Sequence, residues 1–227
     1  MSTEQWRVRV SDGETSALLD AASGGGRIVF VCGHGAGGSM QDRSMVAATG
    51  EFVRRGLHVV RFNFLYTENR SGRPDPMPLL KDCYSAVVAD VRERLKPEVL
   101  IVGGRSMGGR VASMLAADGL DCAGLLLLAY PLHPPKRLDQ LRDAHLPAIR
   151  VPVLCFNGTR DEMCTRELMD RVLERVQTRW EMHWLDGADH SFHVLKRSGR
   201  SDADVLREVG DVSERWVQSL TPATRSA

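Results

Sequence analysis

Residues 99–117 read Val99-Leu-Ile-Val-Gly-Gly-Arg-Ser-Met-Gly-Gly-Arg-Val-Ala-Ser-Met-Leu-Ala-Ala117. The apolar, β-branched opening, residues 99–102, reads as a buried strand. The chain then turns through Gly103, Gly104, Arg105 and Ser106, and Met107, Val111, Met114 and Leu115 follow at the spacing of one helix face. Inside the turn lies Gly104-Arg105-Ser106-Met107-Gly108, a G-x-S-x-G pattern. A serine between such a strand and helix sits on a strained turn with its hydroxyl exposed. Glycines flank it because a Cβ there would collide with neighbouring backbone. The helix that follows directs its positive end toward the serine, which favours negative charge developing beside it. The plain alternative is a glycine-rich turn carrying an idle serine. The order strand, serine, helix favours a nucleophile.

Outward from this stretch, strand and helix patterns alternate. Upstream, residues 6–10 set Trp6, Val8 and Val10 against Arg7 and Arg9, as a half-buried strand does, and residues 15–22 can pair with it as a hairpin. A flexible Ser23-Gly24-Gly25-Gly26 leads to a buried strand over 27–32. Gly33-His34-Gly35-Ala36-Gly37-Gly38 follows, then a helix through Met45, Ala48, Phe52 and Val53 that Gly56 stops. Residues 57–62 form a strand, 63–78 a polar loop, and Leu80, Tyr84, Val87, Val88, Val91 and Leu95 a long amphipathic helix.

Downstream, residues 123–129 and 151–157 are strands, with a short helix expected over 138–145 between them. Leu168, Met169, Val172, Leu173 and Val176 mark a helix, Trp180, Met182 and Trp184 a strand, and Val205, Val209, Val212, Trp216 and Leu220 a last helix. Such alternation predicts an α/β fold with a mostly parallel central sheet covered by helices on both faces. Nothing divides the chain, so residues 1–220 are expected to form one domain, with 221–227 a disordered tail. The segment between the strands at 123–129 and 151–157 is too short for a large lid domain.

Composition narrows the functional classes. The 227 residues carry a formal charge of +1, which gives no field to attract nucleic acid or an anionic membrane. No apolar run approaches the ~18 residues of a membrane span, and the N-terminus lacks the basic and apolar regions of a signal peptide. Cys32, Cys83, Cys122, Cys155 and Cys164 form an odd set with no C-x-x-C pair, so neither a disulfide framework nor a zinc site is expected. A cytoplasmic setting suits these features.

A serine nucleophile needs a base, and the base needs an orienting acid. One known order along a chain is serine, then Asp or Glu, then His, each after a strand of a parallel sheet. Asp161, after the strand at 151–157, and His190, after the strand at 180–184, fit that order behind Ser106. Glu162 and Asp189 compete with Asp161, and a helix N-cap is its bland role. An oxyanion requires two preorganised N–H donors. Met107 supplies one, and the glycine-lined loop after residues 27–32 supplies the other, from Ala36 or alternatively Gly37. His34 reads as a structural residue bonding loop carbonyls. The same loop matches G-x-G-x-x-G through Gly33, Gly35 and Gly38, a dinucleotide fingerprint. The acidic residue expected at the end of the next strand is missing, with Arg61 and Asn63 in its place, so an NADP site would have to use Arg61.

Taken together, the segments 34–38, 61–64, 72–75, 103–110, 130–135, 158–161 and 189–192 resemble the α/β-hydrolase superfamily, within it the small lidless group related to dienelactone hydrolases. The closer resemblance is to a family of bacterial predicted hydrolases that also includes testis-expressed protein thirty and the third regulatory subunit of the NSL acetyltransferase complex. The resemblance implies a hydrolase fold with Ser106, Asp161 and His190 in triad positions. Glu162-Met163-Cys164 departs from relatives, which often carry a proline and a small or aromatic residue there.

The function expected is hydrolysis of an ester-type bond in a small-molecule acyl substrate, with no cofactor or metal. The alternatives are a non-catalytic protein-interaction module and, more remotely, a dinucleotide-binding oxidoreductase. Arg105, Arg110, Arg70 and Arg73 can grip an anionic substrate or pair with Asp75, Asp82 and other acids. Pairing is the preferred reading for Arg105 and Arg110.

Overall fold

A computed structural model describes residues 3–24 and 27–220. Gly25 and Gly26 of the expected flexible link, and the expected disordered tail at 221–227, lie outside the described residues. An antiparallel hairpin, β1 (Thr3–Val10) and β2 (Gly13–Asp20), opens the fold. There follow β3 (Ile28–Gly33), α1 (Arg43–Arg54), β4 (His58–Phe62), the one-turn α2 (Leu65–Glu68), α3 (Met77–Leu95), β5 (Val99–Arg105) and α4 (Met107–Ala117). The chain continues with β6 (Gly124–Leu128), β7 (Val153–Gly158), α5 (Arg166–Leu173), β8 (Trp180–Leu185) and α6 (Asp202–Gln218). The eight strands form one sheet in the order β1-β2-β4-β3-β5-β6-β7-β8. All pairings from β4 to β8 are parallel, and β2 joins β4 antiparallel.

The pleat sorts each central strand between two cores. Val29, Val31, Leu100, Val102, Leu125, Leu127, Val153 and Cys155 face α3, α4 and α5, where Val87, Val111 and Met169 pack. Phe30, Cys32, Ile101, Leu126, Leu128, Leu154 and Phe156 face α1 and α6, where Phe52, Val205 and Trp216 pack. Strands buried on both faces are continuous apolar runs in sequence, which is why they were readable. Sequence signals also end the helices. Gly56 (φ +86°) closes α1, Thr165 caps α5, and Ser201 and Asp204 form a capping box on α6. No helix among the described residues is long and apolar enough to cross a membrane.

Two expectations need correction. Residues 63–78 are not simply a polar loop: Phe64, Leu65 and Tyr66 are buried and start α2. The Phe64 and Tyr66 rings pack against His34, and the burial of these apolar side chains outweighs the polar residues around them. Residues 138–145 do not form a helix. Leu138 and Leu141 remain exposed, so no apolar face drives helix formation. The segment is instead tied to the loop after β6, with Arg142 N–H donating to Leu132 O and the Tyr130 hydroxyl donating to Arg142 O.

Tyr84 of α3 couples a helix to the two central strands. Its buried hydroxyl lies 2.6 Å from Val31 O and 2.7 Å from Gly103 O, and accepts the Gly103 N–H at 2.8 Å. Tyr84→Phe leaves that N–H buried without an acceptor. We expect a loss of about 1–3 kcal/mol in urea unfolding. A loss below about 0.5 kcal/mol, the range of an ordinary surface substitution, would contradict this role.

Candidate active site

Ser106 joins β5 to α4 at φ 48° and ψ −112°, a conformation that side-chain-bearing residues rarely adopt. Such strain costs about 1–3 kcal/mol and persists only where the surroundings enforce it. Here Ser106 N–H donates to Leu128 O of β6 at 2.8 Å, and Ser106 O accepts from Arg110 N–H at 3.0 Å. Backbone approach fixes the rest. A Cβ on Gly108 would lie 2.2 Å from Gly33 O, and one on Gly104 would lie 2.2 Å from the same oxygen. Only glycine lets β3 run this close to the turn.

The serine does not stand alone. His190 Nε2 is 3.0 Å from Ser106 Oγ, and His190 Nδ1 is 2.9 Å from both Asp161 carboxylate oxygens. The ionised carboxylate can only accept, so Nδ1 carries the proton and Nε2 presents a lone pair to the hydroxyl. Asp161 has a fully buried side chain, whereas His190 is 25% exposed, so the ring meets solvent and the acid does not. All three follow carboxyl ends of strands: Ser106 follows β5, Asp161 β7, and His190 β8.

Neither competing acid touches the ring. Asp189 accepts N–H bonds from Ser191 at 2.7 Å and His193 at 3.0 Å, shaping the turn that carries His190. Glu162 points to solvent. Nor is Asp161 a helix cap, since Thr165 caps α5.

Two supporting residues escaped the sequence reading. Asn157, buried at the end of β7, donates to Asp161 Oδ2 at 2.9 Å and to Tyr130 O at 3.0 Å. Met163 N–H donates to Asp161 Oδ1 at 2.8 Å, so the carboxylate is held from two sides besides the ring. The signal for Asn157 was an amide side chain inside an apolar strand pattern, which demands a buried partner. Arg105 donates to His190 O at 2.6 Å and lies over the Phe192 ring, 5.6 Å from its centre. Burial lowers its pKa while Asp161 and Asp189 act to raise it. It therefore braces the His190 loop through a carbonyl, not through the acid pairing expected of it.

The glycine loop after β3 lies opposite. Ala36 and Met107 line the same cavity as Ser106. His34 is fully buried, with Nδ1 2.8 Å from Gly35 O and Nε2 accepting Phe64 N–H at 3.1 Å. Those bonds fix a neutral ring, and burial lowers its pKa accordingly. It is structural, as expected. Arg61, which a dinucleotide 2′-phosphate would require, is 3% exposed and paired with Asp20 at 2.8 Å. Gly38 closes a turn onto Gly35 O, ahead of a helix that starts only at Arg43. Among the described residues, no group of three or more His, Cys, Asp or Glu is placed to hold a metal.

The cavity beside Ser106 measures about 360 Å³ and reaches Pro74, Met77, Arg110 and Arg142. A second, about 340 Å³, adjoins His190 and is lined by Pro135, Arg160, Glu162 and Asp189. Met163 borders both. Arg110 forms no ion pair among the described residues, contrary to expectation. Asp75 instead accepts Tyr66 N–H at 3.0 Å, and Asp82 accepts the Ser11 hydroxyl. Arg70 and Arg73 are exposed and line neither cavity.

Comparison with known proteins agrees with this architecture. Residues 26–218 match the family model of the alpha/beta hydrolase domain. Solved structures with the same fold include an alpha-beta serine hydrolase homologue from Coxiella burnetii, at 20% identity and TM-score 0.77, covering 96% of this chain and 98% of that one. A serine hydrolase without a lid from Xanthomonas campestris is similar at 22% identity and TM-score 0.74, covering 98% and 97%. A dienelactone hydrolase from Anabaena variabilis is similar at 17% identity and TM-score 0.74, covering 96% and 97%.

The contact at Gly108 yields a direct test of the turn. Gly108→Val forces backbone apart at Gly33 and is expected to destabilise by about 1–3 kcal/mol or more. Ser106→Ala, which keeps every backbone contact, should melt close to the wild type. Equal melting temperatures for Gly108→Val and the wild type would contradict the packing described.

Proposed function

Since the chain belongs to the alpha/beta hydrolase domain family, we propose that it is a serine hydrolase that cleaves an ester-type bond through an acyl-enzyme. The observation that carries this reading is the continuous hydrogen-bonded line from Ser106 Oγ through His190 to Asp161, at 3.0 and 2.9 Å. Fold alone does not specify an activity, so the argument rests on these atoms. The substrate is a small-molecule carboxylester, lactone or thioester.

The reaction runs in two halves. Ser106 Oγ attacks the acyl carbon as His190 Nε2 takes its proton. Asp161 holds the ring in the required tautomer and stabilises the imidazolium that forms. The N–H groups of Ala36 and Met107 receive the oxyanion, and the positive end of α4 adds to their effect. When the intermediate collapses, His190 gives its proton to the leaving alcohol or thiol. Water then enters beside His190 and attacks the acyl carbon as Nε2 takes its proton, and on collapse His190 returns that proton to Ser106 Oγ as the acid is released. The leaving group occupies the cavity that His190 lines, and the acyl group the one lined by Met107 and Arg110. Cys32 does not compete as a nucleophile, because burial pushes its thiol up to about 12.

A panel of aryl esters, thioesters and lactones tests the assignment. Ser106→Ala and His190→Ala should each lower kcat by roughly three orders of magnitude or more, and Asp161→Asn by about 10⁴-fold through the wrong ring tautomer. Glu162→Gln and Asp189→Asn should retain most turnover. Turnover that survives Ser106→Ala, or that depends on Glu162 instead of Asp161, would overturn it.

A further inference from the structure

The cavity beside Ser106 is lined by two arginines that form no ion pair among the described residues. Arg55, Arg61, Arg175 and Arg200 elsewhere in the fold each pair with an acid. Arg110 and Arg142 do not among the described residues. Arg110 Nε is buried without a hydrogen-bond partner. The guanidinium of Arg142 has one long contact, 3.5 Å from Pro131 O. Both line the cavity.

The nearby groups leave this charge in place. Asp143 pairs with Arg175 and Asp118 with Lys81. His145 is bonded to Ser113 Oγ at 2.8 Å, and burial together with Arg110 pushes its pKa down to about 4, so it is neutral at physiological pH. Burial and the neighbouring Arg110 also lower the pKa of Arg142. Asp75 is the one acid lining the cavity, and it already accepts Tyr66 N–H.

Leaving the buried Nε of Arg110 without a partner is costly, and two half-buried guanidiniums in one cavity repel each other. A bound anion relieves both, and a guanidinium fork matches a carboxylate edge to edge. We infer that this cavity takes an acyl group ending in a carboxylate, bound by Arg110 and Arg142 while Ser106 attacks the ester at its other end. The inference rests on the reading of Ser106 as the nucleophile. Two arginines against Asp75 leave one net positive charge, which suits a monoanion better than a phosphate dianion. Arg110 lies one helical turn beyond Ser106 and both line the same cavity of about 360 Å³, so the ligand to test first is the half-ester of a short diacid.

The binding arm of the test uses Ser106→Ala protein, which cannot acylate, and titrates it calorimetrically with monomethyl glutarate and dimethyl glutarate. The monoanion should bind at least tenfold more tightly. Adding Arg110→Gln or Arg142→Gln should each remove most of that preference in protein whose thermal melt shows it folded. In wild-type protein, an aryl hemiglutarate should exceed its methyl-capped analogue in kcat/KM by at least tenfold. That last comparison requires no arginine variant to fold. Equal binding of the two glutarates, a preference that survives both arginine substitutions, or stronger competition from inorganic phosphate than from acetate would overturn the proposal. Turnover without an anion preference would sink the carboxylate subsite alone. Anion binding in protein whose wild type shows no turnover would sink the nucleophile reading and leave the subsite standing.

Discussion

The close passage of β3 beneath the turn at Ser106 is the constraint on which the rest depends. Gly33 O lies where a Cβ of either Gly104 or Gly108 would have to sit. That proximity allows β5 to end, Ser106 to adopt φ 48° and α4 to begin within a few residues. The serine is lifted out of the sheet, and the glycine loop carrying Ala36 is brought beside it. Tyr84 bridges β3 and β5 just below, through Val31 and Gly103. The strain at Ser106 is thus held by two strands, a helix and a buried hydroxyl, and no single contact carries it.

Burial then divides the work between His190 and Asp161. The carboxylate is sealed inside with Asn157, Met163 N–H and the ring as its partners. It can orient the imidazole without competing for solvent. The ring stays partly exposed, between the cavity beside Ser106 and the one lined by Arg160, Glu162 and Asp189. In the proposed reaction His190 takes the Ser106 proton and then serves the departing group, a double task that this intermediate position suits. Arg105 and Asp189 perform the less visible task of holding the loop after β8 in register with β5.

Much of this was legible because it is local. Doubly buried strands read as apolar runs, Gly56 reads as a helix end, and Gly104 to Gly108 read as a strained turn. The order Ser106, Asp161, His190 was legible because a parallel sheet brings successive strand ends together. What was missed depends on distant partners. Leu138 and Leu141 look like a helix face until the structure offers them nothing to cover. Phe64 to Tyr66 look like part of a polar loop until His34 and Asp75 are beside them. Arg105 and Arg110 were expected to meet acids, yet sequence spacing cannot tell that Asp75 and Asp82 are already occupied by Tyr66 N–H and Ser11.

In the proposed reaction His190 and Asp161 make Ser106 a nucleophile, with the N–H groups of Ala36 and Met107 as its oxyanion donors. A fluorophosphonate probe places its phosphoryl oxygen where the oxyanion would lie, so one covalent event reads nucleophile, base and donors together. After incubation and digestion, mass spectrometry should find the adduct on the peptide containing Ser106 and on no other serine, with labelling lowered by orders of magnitude in His190→Ala. Folded protein whose Ser106 stays unlabelled after prolonged exposure, or labels equally fast without His190, would contradict the account.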